Sequence, residues 1–532
     1  MKKLSLVLSA LLLVSAVTGC TNTNVKKDGA SDKITIKWMG PPYYSETQAA
    51  SFSEKLLEEK FGVEIDAVYL DEEAYKMKKP LMMSSGDIPD LIYEMDPIHV
   101  QADVKQGFLA EIPYDTIKQF APKIMAEINK SAPNVWLYPY FEGKNYGLVN
   151  LFYGGDEAMT SLWRKDWLDN VGITKIPETI DEMHEAFVKF VNEDPNKSGK
   201  KDTFALTGDM GRHYSTFSEI FGAYGTLPFN WMEVDNKIIY GGLTEGTQDA
   251  LKTLAAWYRE GLIDPDFITD DHVKNTKTKF QNGSIGYMNH FGREISEFDA
   301  DYPDSMLNIL KQLNSKGEIV EGTLPKGPEG KSGTFVWGKG GHIITFGKQV
   351  GDQPEKMEVL LKMFDYMFEN QDFLTKLQIG EEGIHYEKDA EKGGIKFKAP
   401  FDKINERKLV LASENLASPA FFGVMPVLQE TRELALSNAQ KEYAKKGAEL
   451  NGMQDAFMKP DVVPESEKYF QNLKNKQIIL MTEIIRGEKP ADSYITEFTS
   501  IWNQLGGEVL TKNAEELYVI LGDIKKHVGA DD

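Results

Sequence analysis

Apolar and polar residues alternate in the first ordered stretch of the chain, and this alternation predicts the opening strand of an α/β fold. Residues 33–39 alternate and end at the turn Gly40-Pro41-Pro42. Beyond this turn we predict helices at 45–61 and 72–83, and strands at 63–68 and 91–93. This order of strands and helices is typical of a parallel sheet with crossover helices.

The remainder of the chain is predicted to be mainly helical. Residues 143–149 predict a hairpin arm or crossing strand, and 283–288 a short buried strand. From 161 to 191 the pattern is largely helical, with Thr179 and Glu182 spaced as a capping box. Further helices are predicted at 247–261, 354–371, 434–446 and 464–486.

The N-terminus has the features of a secretory signal. Two lysines precede an apolar run over 4–17, which is too short to span about 30 Å of hydrocarbon. We therefore predict a signal peptide at 1–19 and a flexible polar tether at 20–32. Cys20, the only cysteine, follows Val17-Thr18-Gly19 in a pattern that resembles the lipobox of bacterial lipoproteins, whose cysteine is diacylated. The alternative is a plain secreted protein that keeps an unmodified cysteine.

The charge balance argues against one large class of function. The 532 residues include 60 Lys and Arg against 82 Asp and Glu, a formal net charge of −22, without a long basic cluster. Nucleic-acid-binding proteins need such a cluster to neutralise phosphates, so we expect no nucleic-acid partner. Hydrophobic residues make up 41% of the chain, which is enough for two or more compact lobes.

The sequence lacks the common catalytic motifs. Gly330-Lys331-Ser332 matches the end of a phosphate-binding loop, but Pro325 stands where that motif requires glycine. The eight histidines include no pair at the i, i+4 spacing of a helical zinc site, and no Gly-x-Ser-x-Gly turn presents a serine nucleophile. A carboxylate pair for glycoside hydrolysis stays open, because 82 acidic residues offer many pairs.

The loop at 194–203 has the ligand spacing of a calcium-binding loop. Side-chain oxygens stand at relative positions 1, 3, 5 and 9, with a glycine at 6 and a backbone carbonyl at 7. Position 12 is Ala205, where an EF-hand has a bidentate glutamate. A structural Ca²⁺ site and a polar turn without metal are the two alternatives. The candidate ligands are Asp194, Asn196, Ser198, Lys200 through its carbonyl oxygen, and Asp202.

Aromatic side chains near polar turns are candidates for a carbohydrate cleft, because sugar C–H faces stack on rings and sugar hydroxyls bind polar side chains. Core packing is the alternative for each ring. Tyr214, Tyr386 and Phe421 also lie near polar turns. The candidate ligand-binding residues are Trp38, Tyr43, Tyr44, Trp163, Arg164, Tyr224, Trp231, Tyr287, Trp337, His385 and Phe422. Of these, Trp38, Tyr43 and Tyr44 flank the turn after the first predicted strand, where open α/β sheets bind ligands.

Several stretches together resemble the large lipid-anchored solute-binding proteins of ABC sugar importers, in particular the LipO/LplA-like group of family 1. Besides the lipobox, the resembling segments include SGDIPDLI at 85–92, GKNYGL at 143–148 and LWRKDWL at 162–168. Others lie at 107–112, 194–203, 379–387 and 502–507. They span nearly the whole chain after the signal, in a consistent order.

The resemblance implies a two-lobed α/β fold of the type II periplasmic-binding-protein class, which closes on its ligand by hinge motion. The N-terminal lobe is expected at 33–150 and about 291–375, and the C-terminal lobe at about 151–290 and about 376–532. An oligosaccharide ligand, an ABC permease as partner and a monomeric state are implied, with no catalytic residues. In alginate-binding relatives a similar loop holds calcium, which favours a metal at 194–203, although Thr203 stands where an acidic residue is common.

Three hypotheses for function follow. The first is a binding lipoprotein at the outer face of the cytoplasmic membrane of a Gram-positive bacterium, which captures an oligosaccharide for a permease. The second is a surface-anchored glycoside hydrolase or lyase. The third is a lipoprotein that binds peptides or presents a ligand to a sensor kinase.

Overall fold

The structure is a computed structural model, which describes residues 33–40, 51–68, 70, 72–94, 96–270, 275–290, 305–403, 406–407 and 433–530. The predicted signal peptide and tether, with Cys20, Tyr43, Tyr44 and Phe422, lie outside the described residues. Within the described ranges, no helix is both long and apolar enough to cross a membrane.

Short strands and longer helices alternate along the chain. The strands are β1 (Thr35–Met39), β2 (Glu64–Val68), β3 (Leu91–Glu94), β4 (Tyr140–Phe141), β5 (Lys144–Asn145), β6 (Gly147–Leu151), β7 (Thr160–Arg164), β8 (Trp231–Val234), β9 (Lys237–Tyr240), β10 (Tyr287–His290), β11 (Ile319–Gly322), β12 (Thr334–Phe335), β13 (Gly340–Phe346), β14 (Tyr386–Lys388), β15 (Ile395–Phe397) and β16 (Gly452–Met453). The helices are α1 (Phe52–Phe61), α2 (Glu72–Ser84), α3 (Pro97–Lys105), α4 (Tyr114–Phe120), α5 (Pro122–Ser131), α6 (Lys165–Asn170), α7 (Ile180–Asn192), α8 (Ser218–Ala223), α9 (Glu245–Arg259), α10 (Lys277–Asn282), α11 (Met306–Leu313), α12 (Lys348–Gly351), α13 (Pro354–Glu369), α14 (Gln371–Ile379), α15 (Asn438–Glu449), α16 (Ser466–Ile485), α17 (Tyr494–Gln504) and α18 (Gly507–Val528).

The first lobe is built on a five-stranded sheet in the order β2-β1-β3-β13-β6. β2, β1 and β3 run parallel, which confirms the parallel pairing predicted from the local order of strands and helices. β13 returns from far along the chain and lies antiparallel between β3 and β6. Helix α13 covers this sheet through Phe364, whose ring centroid lies 6.0 Å from that of Trp38.

The second lobe is built on an antiparallel sheet in the order β10-β7-β11. Here the predicted helical stretch from 161 is wrong at its start, because the five residues of β7 are a strand. All five are buried, and a strand buried on both faces has no alternation to distinguish it from a helix. The helices that follow pack aromatic rings on β7, among them Phe187, 5.6 Å from Trp163.

Predicted helix positions are largely confirmed by α1, α7, α9, α13, α15 and α16. At α7 the Thr179 hydroxyl caps the helix by accepting the amide of Glu182 at 3.1 Å. The Glu182 carboxylate accepts the amide of Glu178 at 2.7 Å, one residue earlier than a full capping box requires.

The predicted division into lobes needs two corrections. β11 lies in the second sheet, so the return to the first lobe falls between Gly322 and Gly340 and not near 291. Helix α14 stays with the first lobe, because the Ser53 hydroxyl of α1 donates to the carbonyl of Leu377 at 3.0 Å. The resemblance does not locate these boundaries, because contacts between residues distant in sequence decide them.

Three segments lie side by side between the lobes: 152–159 after β6, 336–339 before β13, and 452–465 from β16 onward. The first two are joined by the amide of Gly338, which donates to the carbonyl of Gly155 at 3.0 Å. The second and third are joined by the amide of Val336, which donates to the carbonyl of Met453 at 3.1 Å. This arrangement confirms a two-lobed α/β fold, connected by a strip three segments wide.

Both lobes hold the third segment firmly. On the side of the second lobe, the Asp455 carboxylate accepts the amides of Trp231 at 2.7 Å and Phe457 at 2.8 Å. On the side of the first lobe, Lys459 pairs with Asp96 at 2.8 Å. Beyond it, α18 contacts both the β9 strand and the helices α4 and α5.

Candidate ligand-binding cleft

Three aromatic rings cluster where the middle connecting segment leaves the second lobe. The ring centroid of Tyr214 lies 5.2 Å from that of Phe335 and 5.0 Å from that of Trp337. Phe335 and Trp337 are 5.2 Å apart. Phe335 is buried, whereas Tyr214 and Trp337 are half-buried, so the cluster has a partly exposed surface. We call Tyr214, Phe335 and Trp337 the aromatic platform.

The local backbone explains how these rings meet. Phe335 and Trp337 are two residues apart in an extended segment, so both side chains lie on one side of it. Tyr214 follows a tight turn at Met210–Arg212, in which the Asp209 carboxylate accepts the amide of Arg212 at 3.2 Å. Just beyond Trp337, the connecting segments 152–159 and 336–339 approach closely, since a Cβ atom on Gly155 would lie only 1.9 Å from the carbonyl oxygen of Gly338.

A cavity of about 990 Å³ borders the same connecting segments. Its wall carries both signs of charge, including Lys339 paired with Asp156 at 3.2 Å and the Tyr153 hydroxyl donating to Glu127 at 2.5 Å. Such a wall offers donors and acceptors to a polar ligand, and the volume is that of a typical ligand site. The cavity is lined by Glu127, Lys130, Ser131, Tyr153, Asp156, Glu157, Lys339, Phe368, Glu369, Gln371, Glu433, Leu436, Lys441, Ala444, Lys445 and Ala448.

Three of the tryptophans predicted to bind ligand lie in the hydrophobic core. Trp38, Trp163 and Trp231 are all buried. Trp163 contacts the ring of Tyr287 at 4.7 Å, and Trp231 contacts that of Tyr240 at 5.4 Å. A buried ring has no free face for a sugar, so the core alternative applies and we do not place these residues in the cleft.

Arg164 and Tyr287 hold the second sheet together. The buried Arg164 guanidinium donates to both carboxylate oxygens of Asp166, at 2.9 and 2.7 Å, and to the carbonyl of Phe280 at 3.0 Å. The buried Tyr287 hydroxyl is shared between Ser161 and Glu219, at 3.0 and 3.3 Å. Their polar atoms are engaged inside the lobe and are not presented to a ligand.

Tyr224 and His385 lie elsewhere in the fold. The hydroxyl of Tyr224 pairs with Thr253 of α9 at 2.6 Å. The ring of His385 is buried against Phe52 and Phe401, each at 4.8 Å, in the first lobe. Trp337 is therefore the single member of the described candidate ligand set that the structure places on the platform.

Two buried carboxyl groups give the free energy of unfolding an unusual pH dependence. Burial raises the pKa of Glu219 and that of Asp455 to about 7. Between the ordinary pKa near 4 and pH 7, the folded chain holds protons that the unfolded chain has released, so stability falls as pH rises.

We therefore expect the free energy of unfolding to be on the order of 5 kcal/mol higher at pH 5 than at pH 7.5, about half of it from each group. Urea unfolding at the two pH values measures this difference. Glu219→Gln removes one of the two titrating groups and should flatten the profile. A wild-type stability that instead rises towards pH 7.5 would contradict the assignment.

The predicted calcium loop brings its candidate side chains into contact. The amides of Ser198 and Gly199 donate to Asp194 at 3.0 and 2.9 Å, and Ser198 Oγ donates to Asp202 at 2.9 Å. The side-chain amide of Asn196 donates to the Asp202 carboxylate at 3.1 Å. These hydrogen bonds hold the pKa of Asp202 below its usual value, the one from Asn196 contributing most.

The chemistry of this loop fits a hard cation, since it brings together two carboxylates, a hydroxyl and a side-chain amide, and such cations prefer oxygen ligands. Only two of the donors are acidic, and among the described residues no group of three or more His, Cys, Asp or Glu is arranged to hold a metal. Thr203 is buried and its hydroxyl donates to the carbonyl of Phe190 at 2.8 Å, so it faces away from the loop centre.

Comparison with known proteins decides the family. The family model described as "Bacterial extracellular solute-binding protein" matches residues 44–371, which is more than half of the chain. The chain belongs to this family of extracellular solute-binding proteins. Its members are solute-binding proteins and not enzymes, which confirms the resemblance and favours the first of the three hypotheses over a hydrolase.

Two curated relatives of this solute-binding protein come from Bacillus subtilis (strain 168). It is 26% identical to the polygalacturonan/rhamnogalacturonan-binding protein YtcQ over 403 residues, which cover 73% of the chain and 74% of YtcQ. It is 25% identical to the lipoprotein LipO over 533 residues, 97% of the chain and 98% of LipO. The S. pneumoniae substrate-binding protein FusA, solved with kestose, has the same fold, with a TM-score of 0.60, 17% identity, and coverage of 93% of this chain and 99% of that one.

Proposed function

We propose that this solute-binding protein captures an oligosaccharide in the cleft between its lobes and delivers it to an ABC permease. The names of two similar proteins support the ligand class, since YtcQ is described as a polygalacturonan/rhamnogalacturonan-binding protein and FusA as a fructooligosaccharide one. The lipobox at Cys20 supports a lipid anchor that holds the protein at the outer face of the membrane.

The observation that carries this proposal is the aromatic platform where the middle connecting segment leaves the second lobe. A platform at the hinge contacts a ligand directly where closure bends the chain, so binding and closure are coupled. The neighbouring 990 Å³ cavity has room for several sugar rings and a wall of donors and acceptors. Rings flanked by polar side chains are what a sugar requires, because its faces are apolar and its edges carry hydroxyls.

A thermal-shift screen of residues 21–532 against plant and bacterial oligosaccharides tests the ligand class. A ligand at 100 times its Kd should add about 2.7 kcal/mol of stability. A saturable rise in Tm with one class of sugar supports capture, whereas a rise with peptides alone contradicts it. Incubation with the responding polysaccharide should release no new reducing ends, which separates binding from hydrolysis.

We also propose that the loop at 194–203 binds a structural Ca²⁺. The support is the ligand spacing of Asp194, Asn196, Ser198 and Asp202 and the hydrogen bonds that join them, with the carbonyl of Lys200 as a fifth ligand. When bound, the cation neutralises two neighbouring carboxylates and stabilises the turn between α7 and the following strand segment.

The calcium proposal predicts that Ca²⁺ raises the Tm by several degrees over EGTA-treated protein, because it binds only the folded loop. Asp194→Ala removes a carboxylate ligand and should abolish the rise. Glu193→Gln changes the adjacent acid, which lies outside the ligand set, and should retain it. Equal responses in both variants would place the cation elsewhere.

A further inference from the structure

A second, much smaller cavity lies inside the second lobe, next to the aromatic platform. Its volume is about 30 Å³, close to the share of liquid volume that one water molecule occupies. Met159 belongs both to its wall and to the cluster that supports the platform. Oxygen-bearing side chains make up much of the rest of the wall, namely Thr207, Asp209, Thr216, Glu219, Thr276 and Asn289.

The wall of this cavity includes a buried carboxyl group, that of Glu219. Its side chain is 2% exposed and accepts hydrogen bonds from Asn289 at 2.7 Å and the Tyr287 hydroxyl at 3.3 Å. No lysine or arginine lies among the described residues that line the cavity. The nearest guanidinium on the neighbouring turn, that of Arg212, lies 4.0 Å from Asp209. A buried carboxylate without a cationic partner is costly in free energy.

Two further oxygen atoms at the cavity have no hydrogen-bond partner among the described residues. They are the hydroxyl of Thr276, a residue only 4% exposed, and the Oδ1 atom of Asn289. Buried polar atoms are nearly always paired, so two on one small cavity point to an occupant. A water molecule could serve both atoms, but a cation would also balance the charge of Glu219, for which the described lining residues supply no ammonium or guanidinium group.

We propose that this cavity binds a hard monovalent cation, Na⁺ by its size, through Glu219, the Thr276 hydroxyl and Asn289 Oδ1, with Asp209 as a further acidic neighbour. Hard cations prefer oxygen ligands of this kind, and the small volume favours a bare ion over a hydrated ion or a sugar ring.

The site connects parts of the second lobe that are distant in sequence. Glu219 lies on α8, Asn289 on β10, and Thr276 directly before α10, while Asp209 begins the turn that carries Tyr214. A bound cation therefore stabilises the base of the platform. It is a different site from the loop at 194–203, and its existence does not depend on which solute the cleft binds.

The experiment measures Tm at pH 8, where Glu219 is ionised, in EDTA and at constant ionic strength. NaCl replaces choline chloride stepwise, so that only the identity of the cation changes. We expect a saturable rise of about 3 °C or more in Na⁺ and a smaller one in K⁺. The absence of any difference between Na⁺ and choline would overturn the proposal.

Thr276→Val separates a cation ligand from a structural hydroxyl. Because the hydroxyl has no hydrogen-bond partner among the described residues, its loss should leave Tm in choline chloride unchanged or higher, while the Na⁺-dependent rise shrinks. Glu219→Gln should abolish the rise. Glu94→Gln, which alters a buried carboxyl paired with a lysine, should retain it.

Two outcomes in these variants would overturn the assignment. One is a full Na⁺ response in Glu219→Gln or Thr276→Val. The other is a response to Ca²⁺ but not to Na⁺ that persists in Asp194→Ala, which would make the cavity a divalent site.

Discussion

Replacing Trp337 by alanine is expected to weaken binding of the responding oligosaccharide about 30-fold, because it removes the half-exposed ring of the aromatic platform. Central aromatic residues of a binding site commonly account for about 2 kcal/mol of binding free energy or more. Isothermal titration calorimetry measures the Kd, and the Tm without ligand checks that the fold is intact. Tyr214→Ala should also raise the Kd.

Tyr224→Phe is the matched control for this prediction. Tyr224 is also a half-buried aromatic residue, but its hydroxyl is bonded to Thr253 of α9, away from the platform. We expect an unchanged Kd. A Kd that responds to Tyr224→Phe but not to Trp337→Ala would show that the ligand binds elsewhere on the second lobe.

The largest loss of stability is expected from Lys79→Met. Lys79 is buried and forms two ion pairs, one with Glu94 and one with Asp103 at 2.8 Å. The side chain of Glu94 has no exposed surface. Removing the ammonium leaves two buried carboxylates facing each other, which costs about 3–5 kcal/mol. Unfolding in guanidinium chloride at pH 8 measures the change.

The pH dependence of this variant follows from Glu94. Burial raises the pKa of Glu94 to about 8, and Lys79 opposes that rise. In the variant the carboxyl group keeps its proton in the folded state to still higher pH, so the stability loss should be smaller at pH 6 than at pH 8.

Lys79→Met combined with Glu94→Gln tests the cause of that loss. A double variant without the buried charge should recover more than half of the stability lost in the single variant. If Lys79→Met costs less than about 1 kcal/mol at both pH values, the ion pair is not buried in solution.

Local patterns in the sequence identified the elements, while contacts between distant residues decided how they assemble. The parallel strands β1, β2 and β3 were predicted because a strand and the helix after it are encoded by neighbouring residues. β13 was not, because its pairing with β3 joins residues about 250 positions apart. The last two helices, α17 and α18, were overlooked although their spacing of buried residues is visible in the sequence.

The candidate site was harder to predict than the fold. Trp38, Trp163 and Trp337 all stand near polar turns, and composition cannot tell a ring in the core from one in a cleft. What separates them is burial, which depends on α13 and α7 packing from elsewhere in the chain. Phe335 was missed, although its position two residues before Trp337 in a glycine-rich stretch was a usable signal.

The strip of three connecting segments has a mechanical consequence. A single flexible linker lets two bodies bend, twist and slide, whereas three segments joined side by side by backbone hydrogen bonds resist twisting and sideways shear. Bending about an axis that crosses all three segments is the motion that such a connection restricts least. The two walls of the cleft therefore meet in the same relative alignment each time, and a sugar whose hydroxyls are spaced differently meets mismatched partners on the opposite wall. Discrimination among solutes thus depends on the stiffness of the connection as well as on the residues that touch the ligand.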